Sequence, residues 1–457
     1  MMTEIVRRVI LCGILILCLL LNGCGGGGGG GGGSNESSSD NGGNDQFSGW
    51  GTADAITDGS GSAHSPQIAM DADGNATAVW SQYDGTVHNI WTNRYNATTS
   101  SWETAEKIEN ISGNAYSAQV AMDSTGNAIV VWQQDDGTVY NLWANRYDAT
   151  TLSWGTAEEI ESNSGSAYSA QLAMDGAGNV MVVWRQSGDS AVNIWANRYS
   201  ATTISWGTAE QIDGSSVGTA YIPQIAMDSA GNAIVVWQHE DAIWGNRYNA
   251  TTSSWGTADL ISTDGESANS PKIAMNSVGN AILVWLQSDG TVERLWSNRY
   301  NGTSSVWGTA EKIENNSESA SYPQIVMDGG GNGIVVWLQS DGTVERLWSN
   351  RYNATSSTWG AAEKIENNSE SAYYPQLAMD GEGNTIAVWQ QSDGTVDNIW
   401  SNVYSIATSS WGDADTVRIS NQAAYAPQIA INSDGKAIVI WRQSDSTVDN
   451  LWVSHSE

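Results

Sequence analysis

One block of sequence recurs eight times, and this recurrence limits the fold more than any other feature of the chain. Tryptophans preceded by Val or Ile fall at Trp80, Trp132, Trp184, Trp237, Trp285, Trp337, Trp389 and Trp441, spaced 52, 52, 53, 48, 52, 52 and 52 residues apart. A second set lies in NIWANRY-like runs, at Trp91, Trp143, Trp195, Trp244, Trp296, Trp348, Trp400 and Trp452. A third lies in SWGTAE-like runs, at Trp50, Trp102, Trp154, Trp206, Trp255, Trp307, Trp359 and Trp411. Together they use all 24 tryptophans, so none is left over as a special ligand platform.

Each repeat contains four short runs rich in β-branched and aromatic residues and bounded by turn formers. In the second repeat they are QVAMD, NAIVVWQ, NLWANRY and WGTAEEI, here called a, b, c and d. Helix signals are missing. Four antiparallel strands per unit of this length make a propeller blade. The frame of the repeats adds a prediction. The region opens on a lone d run at Trp50, continues with seven complete sets, and closes on a, b and c alone. The first strand can therefore complete the last blade. The expected fold is all-β: a single eight-bladed β-propeller of four-stranded antiparallel blades over residues 48–457, its ring closed by the N-terminal strand joining the last blade. Closure also removes the open edges that invite aggregation.

Runs a and b are joined by Asp-x-x-Gly-Asn. Gly supplies positive φ, and Asp accepts bonds from the backbone two residues on. The first position reads Asp71, Asp123, Asp175, Asp228, Asn276, Asp328, Asp380 and Asn432. Interchange of Asp and Asn fits a turn cap, because both keep the acceptor oxygen. A general acid or a strong metal ligand does not survive that swap. Calcium is the one cofactor left open, best at Asp71 and Asp73, although a full calcium loop needs further ligands.

The first residues carry export information. Arg7 and Arg8 precede the apolar run VILCGILILCLLL, a charged start and short core of the secretory kind. Leu21-Asn22-Gly23-Cys24 resembles the bacterial lipoprotein signal, which implies cleavage after residue 23 and lipidation of Cys24. Nine glycines, Gly25 to Gly33, and a Ser/Asn-rich stretch follow, so residues 24–47 are expected to be a flexible tether. Gly25 stands where an inner-membrane retention Asp would sit in that family, which implies the outer membrane. The side that the domain faces stays open. Cys12 and Cys18 leave with the signal and Cys24 is the anchor, so no disulfide is expected in the folded part.

The formal charge is −32. Removal of Glu4, Arg7 and Arg8 with the signal makes the remainder still more acidic. Nucleic-acid binding is excluded, since phosphate contact needs a basic face.

Residues 50–454 resemble the bacterial propeller repeats grouped with the sialidase-like, or BNR, superfamily. The MDxxGNAxVVW, IWxNRY and SWGTAExI blocks carry this resemblance, which concerns architecture and is not specific for activity. The Asp-box of sialidases and the repeats of PQQ-type propellers both differ in spacing around Asp123, Gly126 and Trp132. No functional residue of either family is carried over.

A catalytic site in such a ring needs residues that break its symmetry. Arg94, Arg146, Arg198, Arg247, Arg299 and Arg351 repeat in NRY and are expected to be structural, pairing with acids or stacking on Trp; Val403 and His455 replace them at the end. The fourth repeat shortens its b–c connection and reads His239-Glu240-Asp241, expected to be a plain deletion rather than a metal site. Nothing forms a nucleophile–base pair, and the chain is expected not to be an enzyme.

The d–a and b–c connections of a propeller share one face. His64, Tyr116, Tyr168, Tyr221, Tyr373 and Tyr425, just before run a, are therefore expected to line the mouth of the central channel. Asp84, Asp136, Asp289, Asp341 and Asp393 mark the b–c tips. An aromatic ring edged with acids suits sugar stacking or a protein partner; ordinary packing between blades and ordinary tight turns are the competing account. The expected function is a non-enzymatic, lipid-anchored envelope module, monomeric, that binds glycans or an envelope protein. The alternative is a sialidase-like glycan-processing enzyme.

Overall fold

The computed structural model describes residues 49–161, 164–188, 191–214, 218–262, 266–314, 316–418 and 420–456. The signal, the tether and Cys24 lie outside the described residues. Every regular element among those described is a strand, and the strands form eight antiparallel sheets.

The first blade shows the pattern. Ala63–Met70 is the inner strand a, Ala76–Tyr83 is b, His88–Asn96 is c, and the outer strand d comes in two pieces, Ser101–Trp102 and Glu106–Lys107. The break in d recurs in each of the first seven blades and has a local cause. In the second blade the Asn145 side chain donates to the Gly155 carbonyl at 3.2 Å and to the Ile108 carbonyl of the preceding blade at 2.8 Å. The Asn of NRY thus takes a ladder position for itself and ties two blades together.

Inner strands of successive blades touch, and the first touches the last. The ring closes as the frame of repeats requires. Asp54–Ala55 pairs with the final strand, Asp449–His455, through Asp54↔Val453 and Ala55↔Trp452. Gly51 N–H and Ile56 N–H donate to the carbonyls of His455 and Leu451, each at 2.9 Å. Ile56, Ile68 and Trp80 pack with Ile438, Ile440, Leu451 and Val453 to seal this seam.

The apolar core lies between sheets rather than within one. Ile129, Val131 and Leu142 of the second blade meet Leu172, Val182 and Trp184 of the third, and the other seams repeat this wedge. All eight b-strand tryptophans are 0–1 % exposed. A buried indole N–H needs an acceptor. In seven blades it finds the Gln two residues on, as in Trp132 to Gln134 at 2.9 Å and Trp389 to Gln391 at 2.8 Å. Gln186, Gln339 and Gln391 in turn donate to the buried Glu161, Glu314 and Glu366. His239 holds the glutamine's place in the fourth blade, where Ala233–His239 and Ala242–Asn249 are joined by Glu240 and Asp241 alone. Among the described residues no three His, Cys, Asp or Glu side chains gather as a metal would require.

The a–b turns answer what Asp-x-x-Gly-Asn does. Asp123 Oδ1 accepts from the backbone N–H of Thr125 at 2.9 Å and of Asn127 at 3.0 Å, while Oδ2 accepts from Asn127 Nδ2 at 2.8 Å. The carboxylate is spent on the turn. The turns also pack blade on blade: a Cβ added at Gly231 (φ +85°) would lie 2.9 Å from Asp175 Oδ2. Asn432 works in the same place because its Nδ2 donates to the Ala72 carbonyl across the closing seam, at 3.1 Å.

The NRY arginines are structural, but their aromatic partner is tyrosine rather than tryptophan. Arg94 lies 3.6 Å over the ring of Tyr147 in the next blade, and Arg198, Arg247, Arg299 and Arg351 repeat the contact on Tyr248, Tyr300, Tyr352 and Tyr404. In five blades the tyrosine at this place is thus the platform for its predecessor's arginine, while Arg146 pairs with Asp148 of its own strand at 2.9 Å. At the closing seam His455 takes the arginine's role, 4.4 Å from Tyr95 and accepting from Trp102 Nε1 at 3.2 Å.

Candidate functional site at the channel mouth

Every inner strand carries the same irregularity near its start. The a–b register shifts between the second and fifth residues, as between His64 and Gln67. The third residue has positive φ: Ser65, Ser117, Ser169, Ile222, Ser270, Tyr322, Tyr374 and Ala426 all lie between 49° and 55°. Such bulges turn side chains out of the regular alternation. Eight of them around one axis set a collar of re-aimed residues at one end of the channel.

The six residues expected at the mouth are the second residues of these strands, and the structure places all of them on this collar. They are not equivalent. Tyr221 and Tyr373 are exposed, while His64, Tyr116, Tyr168 and Tyr425 are half-buried. Nor do they form an even ring. His64 lies 5.7 Å from His88, and His88 lies 4.9 Å from Tyr116. Tyr140 lies 5.6 Å from Tyr168. Arg185 stands 5.3 Å from the Tyr168 ring and 5.8 Å from that of Tyr221. At the other end Arg442 stands 5.6 Å over Tyr425 and donates to His64 Nδ1 at 3.1 Å. The result is an arc from the eighth blade through the fourth. In the fifth and sixth blades Asn269 and Ser321 interrupt it. Tyr373, Tyr374 and Tyr322 make a separate cluster beyond the gap.

The acids expected to edge the mouth are also tied into their own turns. Asp84 Oδ1 accepts from Thr86 N–H, Thr86 Oγ1 and Val87 N–H, and Oδ2 from Asn89 Nδ2, at 2.7–3.0 Å. Asp136, Asp289, Asp341 and Asp393 accept the same turn bonds. These bonds, the threonine hydroxyl's first, hold their carboxyls well below the usual carboxylate range. Further acids near the collar stand at the head of strand c: Glu293, Glu345, Asp397 and Asp449. The corresponding positions in the first two blades are His88 and Tyr140. The heads of strand c are therefore polarised, with imidazole and phenol in the first two blades and carboxylates in the fifth to eighth, while tyrosines stand on both halves of the collar.

The most differentiated hollow lies where the eighth blade meets the first, its lining including Ser60, His64, Tyr83, Asp84, His88 and Val448. An arginine can only donate, so His64 Nδ1 accepts from Arg442 and the neutral ring carries its proton on Nε2. Ser81 gives its own proton to the Ala115 carbonyl at 2.9 Å and lies 3.5 Å from His88 Nδ1. His88 Nδ1 is thus the donor there, and its Nε2 keeps a free lone pair. Burial holds both imidazoles below their ordinary pKa, and the Arg442 charge pushes His64 the same way. Two neutral imidazoles of opposite hydrogen-bonding sense stand side by side.

His88, Tyr140, Arg185 and Arg442 are the collar residues that the repeats alone did not single out. The signal was present in columns: Ser81, Gln133, Arg185, Gln238, Leu286, Leu338, Gln390 and Arg442 each follow the core tryptophan, and two of the eight are charged.

No known family model matches the sequence, and no curated protein matches it. Solved structures do match, and they are propellers. The Dos1 propeller is 10 % identical, with a TM-score of 0.56, covering 89 % of this chain and 94 % of its own. A PL25 ulvan lyase bound to -[GlcA(1-4)Rha3S]- is 8 % identical, with a TM-score of 0.54, covering 87 % of this chain and 94 % of its own. The NanB sialidase of Streptococcus pneumoniae, in a K499G form, is 10 % identical, with a TM-score of 0.39, covering 86 % of this chain and 68 % of its own. At such identities the likeness is one of fold.

Proposed function

We propose that this chain is a lipid-anchored carbohydrate-binding propeller whose ligand seats at the channel mouth. The aromatic collar carries the reading. Aromatic faces at the bulged starts of strand a offer stacking surface, and polar side chains between them offer directional bonds. The Leu21-Asn22-Gly23-Cys24 signal and the glycine run support the lipid anchor and the outer membrane. A glycan-array screen of residues 46–457 tests the binding. Saturable binding to one sugar class that is lost in Tyr221→Ala and His64→Ala supports it; binding to none turns the mouth over to a protein partner. Metabolic labelling with palmitate, lost in Cys24→Ser, tests the anchor.

A second reading is favoured by one observation, the pairing of His64 and His88. His88 keeps a lone pair that can take a proton, and the neutral His64 beside it offers an N–H that can hydrogen-bond a developing oxyanion, an arrangement that suits glycan cleavage begun by proton abstraction. It is separated from simple binding by incubating the protein with the glycans it retains: new reducing or unsaturated ends that vanish in His88→Gln would make it an enzyme.

A further inference from the structure

We propose that the wedge between the third and fourth blades, at Arg185, is the seat for an anionic group of the mouth's ligand, a carboxylate or sulfate ester on a sugar. The proposal rests on the carbohydrate reading above and names the class of sugar.

Arg185 is held between the rings of Tyr168 and Tyr221, and its Nε is buried with no hydrogen-bond partner. Among the described residues no carboxylate pairs with it. That is unexpected in a chain with 50 acidic residues against 18 lysines and arginines. Burial disfavours its charged form, and among the described residues two tyrosine faces are what stands against it.

The eighth blade shows what is missing. Arg442 occupies the same place after its core tryptophan, and although its Nε likewise lacks a hydrogen bond, Asp449 Oδ2 lies 3.5 Å away as an ion-pair partner. Asp449 heads strand c, opposite Ser444. In the third blade the residue opposite Ser187, in the same register, is Val192. The third blade thus has the cation of the eighth with a valine where the eighth has its acid. A guanidinium fork with no acid of its own matches the paired oxygens of a carboxylate or sulfate. The flanking rings would hold the sugar that bears it.

The test compares two tetrasaccharides of one linkage, β-1,4-glucuronan and cellotetraose, by isothermal titration at low and moderate salt, with sulfate-induced thermal stabilisation alongside. The expected result is that the uronate tetramer binds roughly tenfold or more tightly than the neutral one, and that salt weakens this preference. Arg185→Gln removes the preference. Val192→Asp, which supplies the internal acid, removes it too, while Val192→Asn keeps it. Neutral binding persists in all three. A preference that survives both Arg185→Gln and Val192→Asp overturns the proposal, as does equal binding of the two tetramers, which leaves the carbohydrate reading standing. If neither tetramer binds, sulfate decides: a rise in Tm in the wild type that both variants lose keeps the anion seat and sinks the carbohydrate reading, and no such rise sinks the seat.

Discussion

The seven c–d turns each hold a residue in the left-handed region: Ser100, Leu152, Ile204, Ser253, Ser305, Ser357 and Ser409, at φ between 51° and 57°. Serine tolerates this moderately; a β-branched side chain does so worst. Ile204 is also 66 % exposed, so its side chain returns little by burial. Ile204→Gly is expected to stabilise the protein by about 1 kcal/mol, with Ile204→Asn close behind. A shifted urea midpoint at constant slope would show it, and no gain in either variant would mean that the turn relaxes around Ile204. The opposite test applies to the a–b turns. Asp123→Ala should cost about 1–2 kcal/mol, because backbone and side-chain donors lose their acceptor, whereas Asp123→Asn should cost far less. The sequence already showed that asymmetry through Asn276 and Asn432. It could not show that the same oxygens press against the next blade's glycine, because that contact depends on how closely the sheets stack.

At the scale of the element, the unit that repeats is a strand set plus its polar links. The Trp-x-Gln of strand b reads from sequence as pattern alone; in the fold it is a buried relay. Trp184 Nε1 donates to Gln186 Oε1 at 2.6 Å, and Gln186 Nε2 reaches Glu161 at 3.1 Å. Gln186→Met keeps the volume and removes the acceptor of the buried Trp184 N–H together with the donor to Glu161 and to the Gly165 carbonyl. A loss of about 2–4 kcal/mol is expected, read as a lower denaturation midpoint. A loss below 1 kcal/mol would mean that water or a neighbour takes over. Strand count and order were legible because alternation and turn residues are local signals. The tyrosine beneath five of the NRY arginines was not, since it lies on the following blade. The collar stood between these cases. The starts of strand a were visible as a tyrosine column, but His88 and Arg442 joined them only through the register of three strands and the bulge that re-aims the first.

The whole molecule depends on one seam that the repeats do not build in the ordinary way. Everywhere else a blade is continuous in sequence; the eighth borrows Asp54–Ala55 from the chain's other end. Its arginine position is His455, half-buried against Tyr95 and bonded to Trp102. Burial holds His455 below the ordinary imidazole value of 6.5, as it does His64 and His88, and all three are neutral in the folded ring at pH 7. The unfolded chain binds protons at these sites more readily than the folded one. Stability is therefore full above the unfolded pKa, falls as pH drops through about 6.5 toward the depressed folded values, and then levels off. His64 and His88 sit beside the same seam on the mouth face, so the loss concentrates where the ring is discontinuous. The measurement is Tm against pH from 7.5 to 5 for the wild type and for His455→Gln, which keeps an acceptor for Trp102 without the titration. The difference between the two curves isolates His455 from the carboxylates that titrate lower. It should grow in the variant's favour as pH falls. Parallel curves would show that the seam does not sense protonation there, and that the closing strand alone holds the ring.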